Sequence, residues 1–142
     1  MNFIDPSPDH WALFKSLPRD TPIHMLNLIR YREQADYPEG HEHADKGWSG
    51  ARAYKEYGKV SDPIFTRLGG RVVWRGSWEA MVTGPDDKHW PLAFVAEYPG
   101  ASAFLAMVSD PDYRLAVVNR TAAVDDSRLI RFAPLPLGGG FA

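Results

Sequence analysis

The chain has 142 residues, a net charge of −2, 44% hydrophobic residues and no cysteine. This slightly acidic composition offers no basic field for nucleic acid or an anionic membrane, and the lack of cysteine excludes disulfides, thiol nucleophiles and thiolate metal ligands. The length fits one domain. No signal-peptide pattern and no apolar run of about 20 residues occur, so we expect a cytoplasmic protein.

Residues 1–21 are predicted to form an N-terminal extension with one short helix. Ser7-Pro8-Asp9 supplies an N-cap hydroxyl, a proline in the first turn and an acid near the helix N-terminus. The helix is expected to end before Pro18.

A central strand is predicted from Ile23 to Tyr31, because both of its alternating faces are largely apolar. Asn27 is the only strongly polar residue of one face. His24 lies on the other face, where a dimer interface would meet it. The Asn27 amide is either a satisfied core group or part of a ligand pocket.

The stretch from Glu33 to Trp48 is polar and has no clear period, which is typical of a lid, an arm or a disordered loop. It contains His41-Glu42-His43 and Asp45. Two histidines this close can bind zinc or nickel, but a mature site needs further ligands. We therefore expect solvated side chains and no metal.

Two helical segments are each predicted to be interrupted at a Val-Ser-Asp-Pro motif. The first begins at Ser49, restarts at Ser61-Asp62-Pro63 and ends at Gly69-Gly70. The second covers residues 101–123 and restarts at Ser109-Asp110-Pro111. In both, serine or aspartate is read as a cap and proline as the first helical residue.

Three further strands are predicted at residues 71–82, 90–98 and 128–132. Simple alternation in the first of them places Val72, Trp74 and Trp78 on one face, and Arg71 and Arg75 on the other. The order within residues 22–133 is β-α-β-β-α-β, which predicts an α+β, ferredoxin-like antiparallel sheet. Residues 134–142 form a tail without a core pattern.

Four stretches follow one another in this order: HMLNLIRYRE (24–33), GARAYKEYG (50–58), GGRVVWRG (69–76) and the segment 97–130. Together they resemble the domain-of-unknown-function 1330 family over residues 23–132. The resemblance implies a dimeric α+β barrel, in which two ferredoxin-like sheets with helices on one face pack together, and no shared activity. The chain departs from the family pattern at Val118-Asn119, where Pro-His is expected, so a histidine acid or base at that position is excluded.

Arg120 lies on an otherwise apolar helix stripe formed by Tyr113, Ala116, Val117 and Val124. A cation on such a stripe must be paired, must reach solvent, or must bind something. It is either a structural ion pair near the helix C-terminus or an anchor for a carboxylate.

The predicted ligand-binding residues are Arg120, Asn27, Tyr54, Tyr57 and Trp74, with no cofactor. Our first hypothesis is a homodimer that binds a small acidic or aromatic molecule between sheet and helices, with the loop 33–48 over the entrance. The second is a cofactor-independent oxygenase or isomerase on the same site, by analogy of fold. The third is a structural or interaction dimer without a pocket.

Overall fold

The computed structural model describes residues 1–142 as four helices and four strands. In chain order these are α1 (Pro8–Ser16), β1 (Ile23–Tyr31), α2 (Gly50–Arg67), β2 (Arg71–Ser77), β3 (Leu92–Tyr98), α3 (Ala101–Ser109), α4 (Pro111–Ala123) and β4 (Val124–Phe132). The strands form one antiparallel sheet in the order β2-β3-β1-β4. The predicted ferredoxin-like α+β fold is confirmed.

Local capping chemistry explains where three of the helices begin. The Ser7 hydroxyl accepts a hydrogen bond from the His10 N–H at the start of α1, and the Ser49 hydroxyl does the same for Arg52 in α2. Asp110 separates α3 from α4, and its carboxylate accepts from the backbone N–H groups of Asp112 and Tyr113. The second predicted helix restart is therefore confirmed.

The first predicted helix restart is wrong, because α2 runs without a break through Pro63. Proline removes one backbone N–H from the helix and normally interrupts it. Here Ser61 and Ile64, which flank the exposed pair Asp62-Pro63, are buried, and the Ser61 hydroxyl donates to the Tyr57 carbonyl one turn earlier. Tertiary burial of this face keeps the helix continuous.

Strand limits and faces also differ from the simple alternation. β2 ends at Ser77 and β4 begins at Val124, so Val124 pairs with Tyr31 and does not continue the α4 stripe. A register shift at Val73 exchanges the two faces of the sheet for the residues that follow it in β2. Val72 and Trp74 therefore lie on opposite faces of the sheet, as do Arg71 and Arg75.

Helices cover one face of the sheet and leave the other open. The covered face carries Ile23, Met25 and Ile29 of β1, which are buried with apolar residues of α2, α3 and α4. The pairing register assigns a second apolar set to the opposite face, which we call the open face: Leu26, Leu28, Trp74, Val95, Ile130 and Phe132. None of the four helices is both long enough and apolar enough to cross a bilayer.

Candidate functional site

The core between sheet and helices is divided into two clusters, and Asn27 lies between them on β1. Met25 belongs to one cluster and is 3% exposed, and Ile29 belongs to the other and is 0% exposed, whereas Asn27 is only partly buried. Its cross-strand partner Phe94 is partly buried too and packs against both clusters. We call the region between sheet and helices at Asn27 and Phe94, where the two clusters meet, the central gap.

Three tyrosines lie on the helix side of the central gap. Tyr57 of α2 packs against both core clusters, and its hydroxyl lies 2.7 Å from the hydroxyl of Tyr113 in α4. The Tyr54 ring lies 5.3 Å from the Tyr57 ring. One hydroxyl of the Tyr57–Tyr113 pair donates to the other, so one phenolic proton remains for a further acceptor.

These phenols are donors at neutral pH. Burial raises the pKa of Tyr54 and Tyr57 well above the ordinary value of 10, and the positive charge of Arg120 opposes this rise only in part. Burial also raises the pKa of Tyr113. A phenol with a raised pKa stays protonated near neutrality, so none of the three is a general base there.

Arg120 lies beside the tyrosines but already has structural partners. Its Nη1 donates to the Ile4 carbonyl at 2.9 Å and its Nη2 to the Ser127 hydroxyl at 3.3 Å. The nearest carboxylate is the exposed Asp5, with an N–O distance of 3.8 Å. The guanidinium thus attaches the N-terminal segment to β4, and these two bonds use two of its five N–H groups.

The side-chain amide of Asn27 donates one hydrogen bond within its own strand. Its Nδ2 donates to the Met25 carbonyl at 3.1 Å, two residues earlier on the same strand. This bond leaves the amide oxygen of Asn27 as an acceptor without a hydrogen-bond partner in the chain.

Sequence reasoning missed Arg75 as a residue of the same layer. Because of the shift at Val73, Arg75 pairs with Phe94 and lies on the helix-covered face, at the β2 edge of the row that contains Asn27. Burial raises the pKa of Asp62 in α2, and the charge of Arg75 opposes that rise. No pattern in the sequence predicts a bulge inside β2. Simple alternation therefore predicted the wrong face of the sheet for the Arg75 side chain.

Trp74 does not share the central gap, because it lies on the open face. Its indole covers Gly76, where a Cβ atom would lie 2.7 Å from the ring. Together with other residues of this face and of the β2–β3 connection it lines a cavity of about 250 Å³, which we call the tryptophan groove: Leu28, Trp74, Gly76, Trp78, Trp90 and Ala93. The five predicted ligand-binding residues therefore fall into two places.

The loop 33–48 packs against the protein. The Tyr37 hydroxyl donates to Oδ1 of Asn119 at 2.6 Å, and the Tyr37 ring stacks on His41 at 4.8 Å. The buried His43 ring lies 4.3 Å from Trp48. The expectation of solvated side chains is thus wrong for His43, which belongs to an aromatic cluster; no group of three or more His, Cys, Asp or Glu side chains is arranged to hold a metal ion.

A family model for a domain of unknown function, DUF1330, matches residues 48–131. The chain belongs to the DUF1330 family. This confirms the resemblance found in the sequence, and the family description attaches no activity to it. No curated protein matches the chain in sequence.

Solved structures support the family and the fold. A protein of unknown function from Rhodopseudomonas palustris, RPA0582, is 50% identical with a TM-score of 0.88, over 96% of this DUF1330 chain and 100% of its own. A methylated form of the RPA0582 protein superposes with a TM-score of 0.89 over 96% of this chain and 98% of its own, also at 50% identity. SnoaB from Streptomyces nogalater, described as a cofactor-independent oxygenase, is 13% identical with a TM-score of 0.51, over 84% of this chain and 99% of its own. At that identity the likeness to SnoaB concerns the fold alone.

Proposed function

We propose that this DUF1330 protein binds a small acidic or aromatic molecule in the central gap. The observation that carries the proposal is the partly accessible Asn27 between the fully covered Met25 and Ile29, in the middle of the central strand. A strand that served only as core would place an apolar side chain there.

The chemistry of the gap favours a ligand rich in hydrogen-bond acceptors. The protonated tyrosines and the remaining N–H groups of Arg120 are donors, and Phe94 and the tyrosine rings offer flat apolar surface. A carboxylate or carbonyl oxygen attached to an aromatic ring matches both features. Arg75, at the β2 edge of the same row, adds positive charge to this side of the sheet.

The test is a thermal-shift screen with small aromatic carboxylates and phenols, which should raise the melting temperature in proportion to the logarithm of ligand concentration. Ligand at about 100 times its dissociation constant adds about 2.7 kcal/mol of stability. Asn27→Leu should abolish the shift and leave the ligand-free protein as stable as before, because an apolar side chain of similar volume replaces the amide.

Thr121→Val, on the exposed face of α4, is the matched control and should keep the shift. A screen without any stabilising acid or phenol, or a shift that survives in Asn27→Leu, would contradict the proposal. Turnover of a bound compound would instead support the second hypothesis, an oxygenase or isomerase. The raised pKa of the tyrosines argues against proton abstraction by them.

We also propose that two copies pair through their open faces. The central row of that face crosses Trp74, Val95, Leu26 and Ile130, and both Trp74 and Ile130 are exposed in the single chain. An apolar sheet face without covering helices is a frequent site of association. His24 and Arg71 lie at one end of it, both bonded to Glu97 at 2.7 Å, so the charges there are already paired.

Ile130→Lys should convert the protein from dimer to monomer in sedimentation at micromolar concentration, because it buries a charge in the middle of the interface. Leu115→Lys is the control, since Leu115 is an exposed leucine of α4 on the helix layer. It should leave the dimer intact. A wild-type protein that sediments as a monomer would contradict the pairing.

A further inference from the structure

The tryptophan groove is a mostly apolar concavity on the open face, with Ser77 and Glu79 as the polar residues of its lining. Trp74 and Trp78 of the β2 side and Trp90 before β3 form its walls, with Leu28 and Ala93 among the residues that line it. The Arg128 guanidinium lies 5.1 Å from the centre of the Trp90 ring.

The segment after β4 supplies the matching surface. Residues 133–142 contain no charged side chain, and Leu135 and Leu137 are 84% and 101% exposed in the single chain. Pro134 and Pro136 favour an extended polyproline conformation and lack the N–H groups that would add this segment to a sheet edge. Proline-rich stretches of this kind dock into grooves lined by aromatic side chains.

The topology places the two surfaces at opposite ends of the open face. Phe132, the last residue of β4, pairs with His24, whereas the groove is lined by Leu28 and Ala93, further along the strands. A two-fold axis that lies between two open faces and runs across the strands exchanges these ends. It brings the start of each 133–142 segment to the end of the partner's sheet that carries the groove.

We propose that Pro134–Leu137 of one copy docks into the tryptophan groove of a second copy. In a polyproline conformation Leu135 and Leu137 lie about 9 and 15 Å from Phe132. The groove extends from Leu28 of β1, next to β4, to Trp74 of β2, which is about one to three strand spacings of 4.8 Å from β4. Reach is therefore sufficient. The inference rests on the proposed pairing of open faces and adds to it the element that fills the groove.

Disulfide trapping tests the docking in the full chain, because the natural sequence has no cysteine. The variants Leu135→Cys and Ala80→Cys are made separately, and Ala80 is an exposed residue of the groove rim. The two proteins are mixed and oxidised with copper(II)–phenanthroline. We expect a covalent heterodimer on a non-reducing gel. The control mixture, Leu115→Cys with Ala80→Cys, should give none.

A second variant measures the energetic contribution of docking. Leu135→Asp with Leu137→Asp should weaken dimerisation by about tenfold or more in sedimentation equilibrium, because it places charges against the tryptophans. Circular dichroism verifies that this variant is folded. A stable wild-type dimer that gives no cross-link and is unaffected by the aspartates would overturn the docking alone. A wild-type monomer would overturn both the pairing and the docking, and neither result touches the central gap.

An internal disulfide within one chain of a Leu135→Cys, Ala80→Cys double variant would also overturn the inference. It would show that the segment folds back onto its own open face and does not reach a second copy.

Discussion

Replacement of Asp126 by asparagine is expected to lower the free energy of unfolding by about 3 kcal/mol. The Asp126 side chain is fully buried, and it accepts hydrogen bonds from Lys88 Nζ at 2.9 Å and from Arg128 Nη1 at 2.7 Å. It also accepts from the backbone N–H groups of Phe3 and Ser127, both at 2.9 Å. One carboxylate thus joins the N-terminal segment, the β2–β3 connection and β4.

The loss is large because the neutral amide leaves two cations without their charge partner. Both cations are partly exposed and regain some hydration, so the expected value lies near the lower end of the range for broken buried ion pairs. Urea denaturation followed by tryptophan fluorescence measures it. Asp125→Asn is the matched control: Asp125 pairs with Arg30 at 2.9 Å but is more exposed, and its loss should stay below about 1 kcal/mol.

The effect should depend on pH in a defined direction. Burial by itself would raise the pKa of Asp126, but the bonds from Lys88, the Phe3 N–H and Arg128 outweigh it and hold the pKa well below its usual range. A lowered pKa in the folded state stabilises the protein fully above the unfolded value of about 3.9 and progressively less as the pH falls below it.

The difference between wild type and Asp126→Asn should therefore shrink between pH 7 and pH 3. Equal losses for Asp125→Asn and Asp126→Asn, or a difference that does not change with pH, would contradict this account.

Alanine at Gly50 should destabilise the protein by about 3 kcal/mol or more. Gly50 opens α2, and its N–H donates to the Arg32 carbonyl at 3.1 Å. A Cβ atom at this position would overlap that carbonyl oxygen and lie 2.7 Å from the carbonyl oxygen of Ala123. These are backbone atoms at the ends of β1 and α4, which cannot move aside as a flexible side chain would. α2 would therefore shift, together with Tyr54 and Tyr57.

Gly58→Ala in the same helix should have the opposite sign. Nothing lies within 4 Å of a Cβ atom at Gly58. Alanine in the interior of a helix is favoured over glycine by about 0.5–1 kcal/mol. Thermal unfolding of both variants measures the sign and size of the two changes in stability. A change of the same sign in both would show that helix propensity, and not the contact between α2, β1 and α4, governs Gly50. If the central gap binds a ligand, Gly50→Ala should also weaken its binding.

Several features of the fold and the site follow from neighbouring residues alone. Capping side chains and prolines located α1 and the α3–α4 junction, because these signals act within one turn of helix. The alternation of β1 singled out Asn27 as the polar residue among apolar neighbours on one face. The asparagine at position 119 excluded a histidine acid or base there. In the structure the Asn119 side chain accepts a hydrogen bond from the Tyr37 hydroxyl and donates one to the Ala116 carbonyl.

Other features needed contacts between residues far apart in the chain. Arg120 was marked by its apolar stripe, but its partners, the Ile4 carbonyl and the Ser127 hydroxyl, come from an N-terminal segment whose path no local pattern encodes. The burial of His43 likewise depends on Tyr37 and Trp48, within a loop whose polar composition suggests exposure. Continuity of α2 through Pro63 depends on the burial of Ser61 and Ile64.

The sequence by itself determined the order of elements, the ferredoxin-like plan, the family and the polar position in the central strand. These depend on periodicity and capping, which operate over a few residues. Only the tertiary structure decided which side chains meet. The shift at Val73 put Arg75 in the layer of Asn27 and Trp74 on the open face, because moving a strand by one residue exchanges its two faces. That exchange separates the central gap from the tryptophan groove.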